Sequence, residues 1–148
     1  MTAPGVAETL ERIGPDLRAL DEDWWLIGSA ALVLHGVGLD AIDDVDVLTT
    51  PVGARRLAKR WGLDAAPGTP SDRFRSQVFV KRLDTPLKVE VMAGFQVKTG
   101  AVWTDVWPKT RIETSGGFLT PSRSELLEIL ALFGRPKDLA RAALLRAL

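Results

Sequence analysis

The sequence predicts one domain of the α/β or α+β class, in which helices flank a mixed β-sheet and a pair of helices comes last. Its 148 residues are the usual size of a single domain. Short apolar strand patterns alternate with longer amphipathic helix patterns, which is typical of these fold classes. No internal repeat or long linker divides the sequence. We expect a core over residues 1–95 and an extension over 96–148.

The first part of the chain alternates helices with strands. Helices are predicted over 6–20, 30–34 and 51–61, and strands over 24–27 and 44–49. Gly14-Pro15 is expected to kink or divide the first helix, because proline removes a backbone donor and clashes with the preceding turn. Thr50-Pro51 begins the third helix with an N-cap hydroxyl and a proline at the first helical position.

The second part is predicted to contain a hairpin, a loop-rich segment and two helices. The strands 76–83 and 87–93 form an antiparallel hairpin, whereas 94–121 is expected to be loops with one or two short strands. Ser122 and Glu125 are spaced as a capping box before a largely apolar helix that should be buried. Pro136 begins the last helix, with four residues expected to face inward: Leu139, Ala143, Leu144 and Leu148.

The composition excludes several kinds of site. The chain has no cysteine and one histidine, His35, so disulfides, thiolate zinc sites, cysteine nucleophiles and multi-histidine centres are excluded. Its 19 basic and 19 acidic side chains balance, which does not favour a surface that coats nucleic acid. No membrane-length apolar segment and no signal-peptide pattern occurs. We expect a cytoplasmic protein with no membrane partner, whose chemistry relies on carboxylates, hydroxyls, amides, lysine and arginine.

Two aspartates in the second predicted strand are the main candidates for chemistry. Asp44 and Asp46 share one face of this strand, because residues two apart point the same way. Like charges this close are costly unless a cation lies between them, and Mg²⁺ prefers carboxylate oxygen. Glu90 would join the pair if its strand lies beside theirs. The alternative is a solvated strand edge with acids that have no function.

Gly28-Ser29 is a second candidate, between a buried strand and a helix. Glycine permits a tight turn, and the amides at a helix start together with a hydroxyl can hold a phosphate. The same pattern is also an ordinary helix N-cap, and this alternative stays open. His35 is expected to be a packed or capping residue rather than a catalyst.

The sequence resembles the nucleotidyltransferase fold family, the DNA polymerase β-like superfamily. The resemblance is closest to small bacterial members similar to AbiEii-type toxins. It is carried by residues 26–29 (LIGS), 30–36 (AALVLHG), 44–47 (DVDV), 126–127 (LL) and 134–139 (GRPKDL). In this family a buried strand leads into Gly-Ser, a strand with two aspartates follows, and a later strand supplies a third acid.

The resemblance implies transfer of a nucleoside monophosphate from a nucleoside triphosphate to a hydroxyl of RNA, protein or a small molecule. Magnesium would be the ion, with manganese as an alternative. Gly28, Ser29 and, as a further candidate, Lys137 would hold the triphosphate. Asp44 and Asp46 would bind the ion. Glu90 would be a ligand and the candidate base.

The sequence also departs from the family pattern. Family members often carry an arginine before the first aspartate and a lysine on the penultimate helix, whereas the matching positions are Leu39 and Leu130. The alternative function is therefore a catalytically inactive member that acts as a binding or regulatory protein, or as a component of a toxin–antitoxin pair.

Three further patterns are weaker. Residues 36–41 (GVGLDA) match the dinucleotide fingerprint by chance, because they do not begin a helical pattern. The basic residues of 55–60 are expected to be solvated surface, although they could attract RNA or a triphosphate. Trp103 and Trp107 are expected in the core, but they could cover a base if their segment is helical.

Overall fold

A four-stranded mixed sheet lies at the centre of the computed structural model, which describes residues 3–148. The elements follow one another as α1 (Val6–Arg18), β1 (Trp24–Ile27), α2 (Gly28–Leu34), β2 (Asp44–Thr49), α3 (Pro51–Trp61), β3 (Phe74–Arg75), β4 (Val78–Arg82), β5 (Lys88–Ala93), β6 (Gln96–Thr99), β7 (Val102–Asp105), β8 (Ile112–Glu113), β9 (Leu119–Thr120), α4 (Arg123–Phe133) and α5 (Pro136–Arg146). This is a mixed α/β fold, as the sequence predicts.

The strand order of the central sheet is β1-β2-β5-β4. Strand β2 is antiparallel to β1 and parallel to β5, and β5 is antiparallel to β4. The predicted hairpin of 76–83 and 87–93 is thus confirmed as β4 and β5. Strand β5 also lies directly beside β2, which is the arrangement that a joint role of Glu90 with Asp44 and Asp46 requires.

The register arranges one face of this sheet in two consecutive cross-strand rows. We call the first the ionic row: it runs Lys81, Glu90, Asp46, Ile27 across β4, β5, β2 and β1. The second, the apolar row, runs Phe79, Met92, Leu48, Trp25 across the same strands. Because alternate residues of a strand share a face, both rows are on the same side of the sheet.

The two faces of the sheet are covered by different helices. Helices α1 and α3 pack on the face opposite the two rows, where Ile13, Val45 and Val89 are completely buried. Helix α4 packs on the apolar row through Ile129 and Phe133. Of the ionic row only Ile27 belongs to this second core, and a cleft lies above Asp46, Glu90 and Lys81. Within residues 3–148, no helix is long and apolar enough to cross a membrane.

The first helix is not divided at Gly14-Pro15, so that part of the prediction was wrong, and a kink there stays a prediction. Helix α1 runs without interruption from Val6 to Arg18 with Pro15 inside it. Proline costs this helix one backbone hydrogen bond, but Ile13 and Leu17 are both fully buried on either side of it. Burial of two such side chains contributes roughly 3–6 kcal/mol, which exceeds the local cost of about 3 kcal/mol for proline.

The predicted caps form, with one change. Thr50 Oγ1 accepts a hydrogen bond from the backbone N of Gly53 at 3.0 Å, and Ser122 Oγ accepts from the backbone N of Glu125 at 3.2 Å. Of the two hydrogen bonds of the predicted capping box, only the one that the Ser122 side chain accepts is formed. The carboxylate of Glu125 accepts instead from the backbone N of Lys109 at 2.7 Å and of Thr110 at 2.8 Å, so it fixes the preceding loop against α4.

The segment 94–121 contains more regular structure than the sequence predicts. Strands β3, β6 and β7 form a separate three-stranded sheet, and β8 pairs with β9. Trp103 therefore lies on a strand, and the helical spacing of Trp103 and Trp107 does not occur. Trp107 packs edge-on against Trp25, with ring centroids 4.7 Å apart. Strands as short as β3, which has two residues, depend on distant partners and leave little periodicity in the sequence.

The last helix turns a different face inward from the predicted one. Leu139, Leu144 and Leu148 are 54%, 46% and 53% exposed, and Ala143 is exposed as well. The buried residues of α5 are instead Asp138, Ala142 and Leu145. These follow the i, i+4, i+7 spacing of one helical stripe. The inward stripe of this helix therefore includes an aspartate, which a pattern of apolar residues does not predict.

Candidate active site

Three carboxylates converge at the centre of the ionic row. One oxygen from each of Asp44, Asp46 and Glu90 can be chosen so that all three lie within 4.8 Å of one another. The first two come from β2 and the third from β5, where Asp46 and Glu90 are direct neighbours in the parallel register. All three side chains are partly buried. The structure thus brings together the three acids that the sequence singles out.

Mutual repulsion and burial make this cluster unfavourable when all three acids are ionised. The pKa of Asp46 is raised well above its ordinary value by burial first and then by the charges of Asp44 and Glu90. Burial also raises the pKa of Glu90, and so does its hydrogen bond and charge contact with Asp44. Lys88 and Lys137 offset only part of this. A bound divalent cation would remove the repulsion.

The turn from β1 into α2 brings backbone against these acids. Gly28 has a φ of +66°, and a Cβ atom at this position would lie 2.8 Å from Asp46 Oδ2. Glycine is therefore needed both for the backbone conformation and for the close approach. The N-cap of α2 is Ile27, with no side-chain cap. Ser29 is thus not a helix cap, and it lies at the wall of the space above the acids.

A cleft of about 810 Å³ extends over the three acids. It is enclosed by the central sheet, the loop over residues 63–71, and helices α4 and α5. All the predicted site residues line it: Gly28, Ser29, Asp44, Asp46, Glu90 and Lys137. A volume of this size is typical of sites that enclose a small ligand. Its walls are charged around the ionic row and apolar further along.

Most of the cations of the cleft were not predicted from the sequence. Besides Lys137, the cleft is lined by Arg75, Lys81, Arg135 and Arg141. Lys81 is the direct neighbour of Glu90 on β4, and the register of the predicted hairpin could have revealed this pair. The other three come from a two-residue strand and from the α4–α5 corner, and nothing in the sequence places those near β2.

The corner between α4 and α5 is held by a buried ion pair. Asp138 is 2% exposed. Its carboxylate accepts hydrogen bonds from the backbone N of Arg135 at 3.1 Å, from its Nε at 2.6 Å and from its Nη2 at 3.0 Å. Pro136 and Lys137 lie between the two partners. The pair therefore fixes the start of α5 and with it Lys137, whose charge lowers the pKa of Asp46.

The two leucines at the positions where the sequence resemblance implies cations have different surroundings. Leu130 is 4% exposed and forms part of the cleft wall. Leu39 is partly buried against the core and does not line the cleft. Neither supplies charge to the cleft. The cations Lys81 and Lys137 come from other elements, so the cleft does contain positive charge near the acids.

The remaining candidates lie elsewhere. His35 is the C-cap of α2, and its Nε2 lies 2.8 Å from Thr120 Oγ1. Burial lowers the pKa of His35; a hydrogen bond to Pro121 raises it, and the charge of Arg123 lowers it further. The basic helix α3 provides no residue to the cleft, and its Arg60 pairs with Asp16 at 3.1 Å. Neither Trp103 nor Trp107 lines the cleft, so the structure gives them no place to cover a base.

Comparisons with known proteins identify the fold. The sequence matches no protein-family model, and no curated protein is significantly similar to it. By structure, the chain is similar to a candidate nucleotidyltransferase from Thermotoga maritima, with a TM-score of 0.74, 21% identity, and coverage of 95% of this chain and 91% of that one. It is also similar to the lincosamide antibiotic adenylyltransferase LnuA in its lincomycin-bound crystal structure, with a TM-score of 0.62, 11% identity, and coverage of 93% and 94%.

A third similar structure is an antigenic nucleotidyltransferase-like protein from Paracoccidioides brasiliensis. Its TM-score is 0.57 at 14% identity, and the match covers 98% of this chain and 77% of that one. At these identities the likeness shows the fold, which is nucleotidyltransferase-like as the sequence resemblance implies. The closer relationship to AbiEii-type toxins stays a prediction.

Proposed function

We propose that this protein is a magnesium-dependent nucleotidyltransferase, which moves a nucleoside monophosphate from a nucleoside triphosphate to a hydroxyl acceptor. The observation that carries the proposal is the convergence of Asp44, Asp46 and Glu90 within 4.8 Å. The fold, which known nucleotidyltransferases share, supports it. A nucleoside triphosphate substrate is also in keeping with the cytoplasmic location expected from the sequence.

The three carboxylates fit a hard divalent cation. They offer only oxygen donors, and they come close enough together for their charges to raise the pKa values of Asp46 and Glu90. Magnesium prefers such donors, and manganese accepts them as well. When bound here, the ion would supply charge neutralisation for the triphosphate and for the leaving pyrophosphate.

The other residues are assigned roles by their positions. Gly28, Ser29 and Lys137 would hold the triphosphate, since they line the cleft beside Asp46. Glu90 would take the proton of the acceptor hydroxyl. The acceptor oxygen forms a bond to the α-phosphorus while the bond from this phosphorus to the bridging oxygen breaks, and pyrophosphate leaves with that electron pair. Such a transfer depends on positioning and charge neutralisation rather than on a covalent enzyme intermediate.

Pyrophosphate release tests the proposal. The purified protein is incubated with Mg²⁺ and each of the four nucleoside triphosphates, with RNA, protein or small alcohols as acceptors. ATP is tested first, because the neighbour LnuA is described as an adenylyltransferase. We expect release with at least one combination, and a loss of about 100-fold or more in Asp46→Asn.

Asp40→Asn is the matched control, because Asp40 is exposed and does not line the cleft. It should release pyrophosphate at the rate of the unchanged protein. The absence of release in all combinations would contradict the proposal, and so would an equal rate in Asp46→Asn.

A catalytically inactive binding or regulatory protein is the second candidate, including a component of a toxin–antitoxin pair. It is favoured by Leu130, which is buried in the cleft wall at the position where family members often carry lysine. Under this alternative, Mg²⁺ and a nucleoside triphosphate bind together but no pyrophosphate is released. Calorimetry beside the release assay therefore separates the two candidates.

A further inference from the structure

The floor of the cleft changes from charged to apolar within one step along the sheet. Glu90 belongs to the ionic row, and Met92, two residues later on β5, belongs to the apolar row. Two residues of a strand span about 6.6 Å. A ligand that touches Glu90 is therefore within reach of an apolar surface only one row away.

Four phenylalanine rings line the cleft beside the apolar row, and we call them the aromatic wall: Phe74, Phe79, Phe95 and Phe133. The ring of Phe74 stacks on Phe95 at a centroid distance of 5.6 Å and meets Phe133 edge-on at 5.1 Å. Phe79, from the apolar row itself, also lines the cleft. Of these four rings, Phe74 and Phe79 are only partly buried. The guanidinium of Arg135 lies over the Phe74 ring at 4.9 Å, so Phe74 offers a ligand only the part of its ring that Arg135 and Phe95 leave uncovered. Aromatic rings pack edge-on or offset-stacked against other rings.

The aromatic wall lies on the acceptor side of the acids. Along the ionic row, Gly28 and Ser29 follow the β1 end, and Lys81 forms the β4 end beyond Glu90. With the triphosphate at Gly28, the side of Glu90 that remains for an acceptor faces β4. Phe79 is on β4, two residues before Lys81, and the loop over 63–71 encloses the same side.

The charge of the cleft does not favour a polyanion. Six acids line it, namely Asp43, Asp44, Asp46, Asp64, Glu90 and Asp138, against five bases, namely Arg75, Lys81, Arg135, Lys137 and Arg141. The formal balance of these side chains is minus one. Mg²⁺ and a triphosphate bound together would make it more negative, because the triphosphate carries more charge than the ion. Of the bases, Arg135 is committed to Asp138, and the guanidinium of Arg75 lies over the Trp103 ring at 4.2 Å. Binding of nucleic acid depends on net positive charge that neutralises its phosphates.

We propose that the acceptor is a small, uncharged alcohol that carries an aromatic or alicyclic ring. The ring lies on Phe74 and Phe79, and its hydroxyl reaches Glu90. The inference rests on the proposed function, which determines how the hydroxyl reacts. The hydroxyl oxygen bonds to the α-phosphorus, its proton goes to Glu90, and pyrophosphate leaves. The ring subsite itself stands on the aromatic wall and can be tested without turnover.

Binding of 2-phenylethanol, compared with ethanol, tests the subsite. The two probes share a primary hydroxyl and differ in the ring. Each is titrated into the full ¹⁵N-labelled chain with Mg²⁺ present, and backbone amide shifts are recorded by NMR. We expect saturable shifts around Phe74, Phe79 and Phe133 with 2-phenylethanol, and an affinity at least tenfold lower for ethanol. Equal binding of the two probes, or shifts confined to other parts of the chain, would overturn the subsite.

Phe74→Leu should weaken the binding of 2-phenylethanol at least threefold, and Phe79→Leu is a second variant for the same test. The matched control is Phe118→Leu, because Phe118 is buried against α1 and does not line the cleft. Thermal unfolding checks that each variant is folded. Unchanged affinity in both cleft variants would overturn the ring contact.

Transfer of label from α-³²P nucleoside triphosphates tests the acceptor class. Label in ring-bearing small alcohols supports the inference, whereas label in RNA or protein overturns it while leaving the proposed function intact. Failure of the proposed function gives a different result from failure of the ring subsite. If 2-phenylethanol binds at the aromatic wall but no acceptor is labelled and no pyrophosphate is released, the nucleotidyltransferase proposal fails and the ring subsite remains.

Discussion

The Cα of Gly28 is packed so closely against the carboxylate of Asp46 that a Cβ atom would lie 2.8 Å from its Oδ2. This contact joins the turn between β1 and α2 to the acid cluster on β2. It exists because Ile27 is the direct partner of Asp46 in the antiparallel register. The chain therefore leaves β1 at the acids, and the backbone amides that follow lie beside them.

Gly28→Ala should damage both stability and activity. The substitution places a side chain at a φ of +66° and pushes it into Asp46. The backbone conformation alone costs about 1–2 kcal/mol. Gly62→Ala is the matched control, because Gly62 has a φ of +67° and a Cβ there would meet nothing within 4 Å. Chemical denaturation and pyrophosphate release should show comparable backbone cost in both variants but lost activity only in Gly28→Ala. Equal activity in the two would contradict a role for the contact.

Asp46 and Glu90 should each make a contribution to the stability of the metal-free protein that decreases as pH rises. Both groups have raised pKa values in the folded state, through burial first and then neighbouring charge. The folded chain thus holds protons that the unfolded chain has released. Their stabilising contribution is fully present below the ordinary carboxyl pKa and is lost as pH rises through the raised values.

Asp46→Asn should remove much of this dependence. Two like charges at the separation of this cluster repel by about 1–4 kcal/mol at the effective dielectric constants of protein surfaces. The variant should therefore be more stable than the unchanged protein at neutral pH in EDTA, and the difference should vanish near pH 3. Denaturant titrations over this pH range measure it, with Asp40→Asn as the control. A lower stability of Asp46→Asn at neutral pH would refute the repulsion.

Magnesium should reverse that order of stability. A ligand that binds only the folded state stabilises it by about 2.7 kcal/mol at 100 times its dissociation constant. We expect Mg²⁺ to raise the unfolding temperature of the unchanged protein by several degrees, and Ca²⁺ at equal concentration to raise it less. Asp44→Asn and Glu90→Gln should lose the response, whereas Asp40→Asn, an exposed position outside the cleft, should keep it. A response that persists in Glu90→Gln would remove Glu90 from the ligand set.

Asp138→Ala should be strongly destabilising. Asp138 is buried, and its removal leaves the guanidinium of Arg135 without its partner at 2.6 Å. Breaking a fully buried pair costs about 3–5 kcal/mol. The cost here should be below that figure, because the Arg135 side chain is 33% exposed and water can reach it. Asp23→Ala is the contrasting variant, because the side chains of Asp23 and its partner Arg111 are 57% and 39% exposed, and its loss should change stability little. Equilibrium denaturation compares the two, and similar effects would contradict the role of Asp138 at the α4–α5 corner.

Most of the elements that hold the acids could be predicted from local pattern. The alternation of Asp44 and Asp46 with Val45 and Val47 predicts both the strand and the face of the aspartates, because strand periodicity is a property of a few consecutive residues. The Thr50-Pro51 start and the β4–β5 hairpin follow from similarly local signals. What these signals leave open is which strands become neighbours.

The rest depends on contacts between distant parts of the chain. The parallel pairing of β2 with β5 places Glu90 beside Asp46, and two strands that far apart in sequence carry no local mark of their pairing. The face of α5 is another case: Leu139, Leu144 and Leu148 are exposed, whereas Asp138 is buried and paired with Arg135. A buried aspartate needs a partner, and the local apolar pattern does not show that such a partner is available.

The sequence by itself determined the kind of chemistry available: oxygen and nitrogen donors, no thiols, two aspartates on one strand face, and a glycine turn before a helix. Only the tertiary structure decided that the third acid joins them, that cations from β3, β4, α5 and the residue before α5 line the cleft, and that an aromatic wall stands one row from Glu90. The physical reason is the distance along the chain over which each factor acts. Residue type and periodicity act within a few residues, whereas a site is assembled by strand register and helix packing, which bring together residues separated by up to a hundred positions.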